Sequence, residues 1–447
     1  MTRTDDRPSP AGIVRTALAA IAHSPGMLRL ATVRFAGQFG DGMFQAALSG
    51  AILFNPERAT DPLAIAGGFT VLLLPYSVIG PYAGALLDRW DRRMVLLVAN
   101  LLRGVLIAVA AAGLLGGIAE TPLLLLALAV IGISRFVLAG AGAALPRVLA
   151  EQWLVPMNSV LATAASGCAG LGAAVSVAII GAVGAGDAGS AVAVAASASG
   201  SIVGAVAALG FRRRELGPDQ GGSTPRSSLR AVATGLRTGA RAVWESRECT
   251  TALIGIGTHR IVFGANTLLM VLVLRRSSAA GLSLSSGLVG FGVAIAAAAS
   301  GMLVAAVIAP LLIPRLGRPR TVAAGLTTAV LVQLVLVTPI TVAGAGGEHR
   351  AHQLLLAGAF LLGLAGQVIK LTGDATLQID IDDARRGQVF ALQDTVFNIT
   401  FVLAVAVTAL VIPDDGRSPG VVLAGAVIYA LGIAAVLINT RRHTVTR

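Results

Sequence analysis

Charge is scarce in this chain of 447 residues: Asp, Glu, Lys and Arg together make up 13%, the aromatic residues 4%, and there are only two cysteines. A soluble domain covers itself with roughly 25% charged residues, so this deficit excludes an ordinary water-soluble fold. Cys168 and Cys249 lie in or beside apolar stretches, and two such residues supply neither a disulfide framework nor a metal site. No glycine-rich loop ends in the Lys-Ser/Thr pair that cradles a nucleotide phosphate, so ATP is not expected to act directly. The run Asp380-Ile381-Asp382-Asp383 has no second aspartate-rich partner and adjoins Arg385 and Arg386, as a solvated loop would. No nucleophile or metal constellation remains, and an enzyme, a cofactor and a bound metal are all unexpected.

What is present is long apolar sequence. Mean hydropathy is +0.81, hydrophobic residues make up 55%, and glycine, at 54 residues, is abundant. In hydrocarbon, small residues let helices approach closely. A crossing needs about 20 apolar residues. Such stretches recur near 27-54, 62-87, 94-116, 121-145, 158-184, 188-211, 249-274, 287-313, 321-345, 354-378, 387-412 and 419-438, which predicts an all-α integral membrane protein with twelve spans. Residues 11 to 22 are too short to cross and lack a cleavage pattern, and read as an amphipathic helix on the inner surface.

Arginine placement gives orientation. The clusters at 89–93, 212–214, 226–247, 315–320, 385–386 and 441–442 fall on one side, and the positive-inside rule makes that side cytoplasmic, together with both termini. The net charge of +12 then reflects topology and attraction to anionic membrane lipid. No basic-aromatic pattern is left over for nucleic acid. The one long polar break, 212–248, opens with Arg212-Arg213-Arg214, passes Gly and Pro, and ends in an amphipathic segment. It divides the chain into a cytoplasmic tail at 1–26, a six-helix half at 27–211, the linker at 212–248, a second six-helix half at 249–438 and a tail at 439–447. Arg34 before Phe39-Gly40-Asp41 has an echo in Arg260 before Phe263-Gly264 and Asn266, and two similar halves are what a rocking transporter uses.

Between the second and third stretches lies Gly84-Ala85-Leu86-Leu87-Asp88-Arg89-Trp90-Asp91-Arg92-Arg93, with the pattern G-x-x-x-D-R-x-x-R-R. It resembles the loop signature of the major facilitator superfamily of transporters. Ser134-Arg135-Phe136, the run Phe39 to Gln45, and Arg386-Gly387-Gln388-Val389-Phe390-Ala391-Leu392 resemble the branch that includes the enterobactin exporter and related drug exporters. The fourth-span antiporter pattern R-x-x-x-G-x-G is shifted by one here, since Arg135 is followed by Gly140 and Gly142. The fifth span has no Gly-Pro pair. The resemblance implies two pseudo-symmetric six-helix halves, spans one, four, seven and ten around a central cavity, and a gating loop formed by Gly84, Asp88, Arg89, Arg92 and Arg93.

Ionised side chains at mid-bilayer cost roughly 3 kcal/mol each on insertion scales, so a chain keeps them where they face a cavity or a partner. The candidates are Arg34, Asp41, Arg135, His259, Arg260, Asn266, Lys370, Asp374 and Asp394, with Arg103 a further cation in span three. Of 34 lysines plus arginines only Lys370 is a lysine, a compact charge able to give up its proton, and Asp374 lies one turn away. Asp41, seven residues from Arg34, is on roughly the same face and can either neutralise it or exchange a proton as the cavity opens to each side. A cavity role implies that substitution at Asp41 or Lys370 stops flux and spares folding.

Cations outnumber anions in the spans, which favours an anionic or zwitterionic solute. The sequence therefore reads as a secondary active transporter of the inner membrane, exporting a small amphipathic solute of siderophore or drug-like type, coupled to protons and expected to be monomeric. A lipid or lysolipid flippase on the same fold is the alternative.

Overall fold

The computed structural model describes residues 24, 26–55, 62–72, 90–149, 151–217, 228–279, 287–342, 348–414 and 416–441. All regular structure among them is helical. In chain order the helices are α1 (Met27–Ile52), α2 (Pro62–Leu72), α3 (Arg92–Leu115), α4 (Glu120–Val148), α5 (Glu151–Val183), α6 (Asp187–Leu209), α7 (Ser228–Glu245), α8 (Arg247–Ala279), α9 (Gly287–Leu316), α10 (Arg318–Val342), α11 (Glu348–Asp380), α12 (Asp383–Ala409) and α13 (Pro419–Arg441). Ten of these are long and apolar enough to cross a membrane. Helix α1 has 26 residues but carries Arg29, Arg34, Gln38, Asp41 and Gln45, which lower its hydropathy. Helix α2 is the described beginning of the stretch expected at 62–87, whose remainder lies outside the described residues, as does the tail helix expected at 11–22.

Helix boundaries follow local chemistry. Asp91 caps α3 by accepting from the Arg93 N–H at 3.1 Å, satisfying one of the donors that a helix start leaves open. Gly317 precedes α10 at φ +79°, and Pro319 stands in its first turn, where the missing N–H costs nothing. Within α10 the segment Gln333–Val337 widens to a π-helical turn.

The chain packs as two compact units. One contains α1 and α3 to α6; the other contains α2 and α7 to α13. In the first unit, α1 lies against α5 and α6 without intervening side chains. A Cβ on Gly42 would overlap the Ala169 carbonyl, one on Gly172 the Phe39 carbonyl, and one on Gly200 the Ala36 carbonyl. The second unit repeats the device between α9 and α11, where Gly301 abuts the Phe360 carbonyl and Gly363 that of Ala298. Burial in this environment gains little from leaving water; close van der Waals packing through small residues takes its place.

Candidate functional site

In the first unit the polar centre is Asp41, flanked by Gly40 and Gly42. Because those two glycines bring α6 and α5 against the backbone of α1, the carboxylate is held in place. Its Oδ1 lies 2.7 Å from Nη2 of Arg103 on α3, and its Oδ2 lies 3.9 Å from Nη2 of Arg135 on α4. Gln38 Nε2 donates to Oδ2 at 3.1 Å. Arg103 is 1% exposed. Its approach to Asp41 is close but poorly aligned for a hydrogen bond, so charge holds the pair, and Arg103 Nε has no acceptor among the described residues. Two guanidinium groups thus share one carboxylate.

The sequence places Arg103 in span three, outside the spans expected to line a cavity, yet it is the nearest cation to Asp41. Arg34 forms no ion pair with Asp41, and its Nε is buried without an acceptor among the described residues. The idea that Asp41 neutralises Arg34 therefore gives way to Arg103, reached through packing of α1 on α3 and α6 that spacing along α1 does not reveal.

The second unit arranges its charges differently. Lys370 Nζ meets Asp374 Oδ2 at 2.7 Å, one turn along α11, and Gln393 of α12 donates to Asp374 Oδ1 at 2.6 Å. Lys370 and Asp374 remain partly exposed, with 32% and 23% of their side chains accessible. Asp394 is exposed beside this group. On α8, Arg260 donates from Nε to the Phe397 carbonyl at 3.0 Å. Its guanidinium carbon lies 3.8 Å from the centroid of the Phe397 ring, 4.5 Å from Phe401 and 5.6 Å from Phe263.

Two candidates serve packing. His259 is buried, pairs through Nδ1 with the Tyr429 hydroxyl at 3.1 Å, and lies so close to Gly366 that a Cβ there would overlap its ring. Asn266 and Gln333 exchange amide hydrogen bonds, at 2.7 and 3.1 Å, and Gln333 also donates to the Val422 carbonyl at 3.2 Å. That set ties α8, α10 and α13 together at the π turn. Tyr429 and Gln333 give no sequence signal beyond being polar atoms in apolar runs.

Gly84, Asp88 and Arg89 of the expected gating loop lie outside the described residues. Arg92 is described, and it staples the first unit: Nη1 donates to the carbonyls of Ala143 and Leu216, at 2.9 and 3.3 Å, and its own N–H to Gly217 at 3.0 Å. Asp91 accepts from the Arg214 N–H at 3.1 Å, so the loop and the turn at 210–217 are joined. Among the described residues the Arg93 side chain meets Met94, with Nη1 3.8 Å from Sδ. Among the described residues no group of His, Cys, Asp or Glu could hold a metal ion.

Long apolar helices carrying ionised side chains define a polytopic membrane protein, and comparison with known proteins gives its class. No protein-family profile matches the chain. It is 42% identical over 425 residues, 94% of this chain and 92% of the relative, to proteins of Mycobacterium bovis and Mycobacterium tuberculosis, each named an uncharacterized MFS-type transporter. The chain belongs to the major facilitator superfamily. Among solved structures it resembles the nucleoside transporter NupG in its D323A form, with TM-score 0.68 and 13% identity over 93% of this chain and 99% of that one. It also resembles a POT family transporter in complex with 5-aminolevulinic acid, with TM-score 0.67 and 15% identity over 95% of this chain and 97% of that one. These likenesses concern the fold.

Proposed function

We propose that this transporter exports a small amphipathic zwitterion or anion across the cytoplasmic membrane, with both termini inside, and that Asp41 couples the movement to protons. The supporting observation is the sharing of buried Asp41 between Arg103 and Arg135. Protonating the carboxylate removes the only anion that these two guanidiniums share among the described residues. Arg34, Lys370 with Asp374, Asp394 and Arg260 supply further polar contacts in this reading, while His259 and Asn266 act as framework.

The sign of coupling constrains the solute. Export driven by inward proton flow requires that proton and solute exclude one another. A zwitterion meets this condition when its ammonium group takes Asp41 and its acid group takes a guanidinium, because a proton on Asp41 then expels the ammonium. A plain anion reverses the sign: it competes with ionised Asp41 for the arginines, so proton and solute bind together and travel the same way. The exporter-like motifs favour the zwitterion. Purified protein in liposomes, given siderophores, zwitterionic drugs, simple anions and lysolipids, decides between these cases. A pH gradient should drive zwitterions against the proton flow in wild type and not in Asp41→Asn. Zwitterion flux that ignores the gradient would refute the coupling role.

A further inference from the structure

Arg260 is an internal cation whose surroundings are the kind that bind foreign cations. An aromatic face attracts a cation within about 6 Å of its centroid through the ring quadrupole, more strongly when water is excluded. Three phenylalanines meet that condition around this one guanidinium, at 3.8, 4.5 and 5.6 Å, and Phe401 is buried. Phe263 itself stacks towards Phe401, with centroids 6.3 Å apart, so the faces form one pocket and not three isolated contacts.

No described carboxylate pairs with Arg260. Among the described residues its partners are the three rings and the Phe397 carbonyl, and its terminal nitrogens donate to none of them. Lys370 is neutralised by Asp374, and Arg103 and Arg135 share the carboxylate of Asp41. Arg260 alone among these intramembrane cations takes its stabilisation from aromatic faces and a backbone dipole.

We propose that Arg260 is a specificity residue: by filling the cage of Phe263, Phe397 and Phe401 with its own guanidinium, it closes to lipophilic organic cations a site that those rings would otherwise offer them. The cage is latent, and removing the guanidinium opens it. This extends the proposed preference for solutes bearing an acid group, but it concerns binding and stands apart from flux, so failure of one does not decide the other.

The geometry separates occupancy from charge. Arg260→Ala and Arg260→Ser empty the cage, whereas Arg260→Met and Arg260→Gln remove the charge but leave much of the space filled. Binding of tetraphenylphosphonium to the full-length protein in detergent is the readout, with monodispersity and thermal unfolding checked for each variant. Wild type, R260M and R260Q should show no saturable binding. R260A and R260S should bind at least about tenfold more tightly than these, as three cation–aromatic contacts allow. Adding Phe397→Leu to R260A should remove most of the gain. Wild-type binding equal to that of R260A, or folded R260A and R260S no better than R260M, would overturn the proposal. If neither R260A nor R260S folds, Arg260 is a brace between α8 and α12 and the cage reading fails.

Discussion

Asp41→Asn removes the only carboxylate that Arg103 meets among the described residues, and the cost can be worked from the burial of the pair. Arg103 is 1% exposed and its Nε already lacks an acceptor among the described residues. Breaking a buried pair by removing one partner costs about 3–5 kcal/mol, because the other charge is left uncompensated. That is a large part of a total stability of order 5–15 kcal/mol. The asparagine carbonyl can still accept from Gln38, which offsets little of the loss. The double variant Asp41→Asn/Arg103→Gln removes both charges and should recover most of the stability lost by Asp41→Asn alone. Thermal unfolding in detergent of wild type, the two single variants Asp41→Asn and Arg103→Gln and the double variant gives the coupling. This expectation departs from that of a cavity side chain whose loss spares folding, since the pair is buried. A single variant that melts with wild type would refute the reasoning and place the pair in water.

Three further outcomes follow from the same packing. Gly42→Ala and Gly172→Ala each drive a Cβ into a backbone carbonyl and should destabilise by about 1–3 kcal/mol or more, whereas Gly37→Ala, with open space around it, should be neutral or stabilising; equal melting of all three would deny the close crossing of α1 and α5. Lys370→Ala should change stability by no more than about 1 kcal/mol because its pair with Asp374 is partly exposed, while flux falls; a strongly destabilised variant rescued by Asp374→Asn would make Lys370 a helix anchor. Gln333→Leu strips three hydrogen bonds from a residue with no exposed surface and strands the Asn266 amide, costing about 1–3 kcal/mol, with faster amide exchange around the π turn as the readout; unchanged exchange there would leave the amide set without a structural role.

Much of the fold was legible because its signals are long and cumulative. An apolar run of 20 or more residues is visible whatever it packs against, and the loop pattern from Gly84 to Arg93 points to the family by itself. The first span was the harder one to see by hydropathy, since Arg34, Gln38, Asp41 and Gln45 dilute it, and those same residues supply part of the candidate site. Intramembrane charge marked Asp41, Arg135, Lys370 and Asp374, but not who meets whom. The partner of Asp41 depends on Gly40 and Gly42 letting two helices touch α1, a contact between residues more than a hundred positions apart. Lys370 and Asp374 were legible as a pair because helix geometry fixes neighbours four residues apart. Gln393, which completes that set from another helix, was not.

The two units use opposite means of keeping cations in an apolar environment, and the difference bears on selectivity. In the first, a single carboxylate serves two guanidiniums, so any solute that offers an acid group competes with, or substitutes for, Asp41. In the second, Lys370 is already matched by Asp374, and Arg260 is held by ring faces and a carbonyl that neither a proton nor an anion can neutralise. An aromatic face has no titratable state, so protonation does not alter what the rings offer Arg260. In the proposed reading the unit with Asp41 responds to protons and solute, and the unit with Arg260 rejects the wrong charge. Asp41→Asn should therefore abolish pH dependence without admitting organic cations, and R260A should admit them without altering pH dependence. A variant at either position that changed both properties would show that the two sets of residues act as one site.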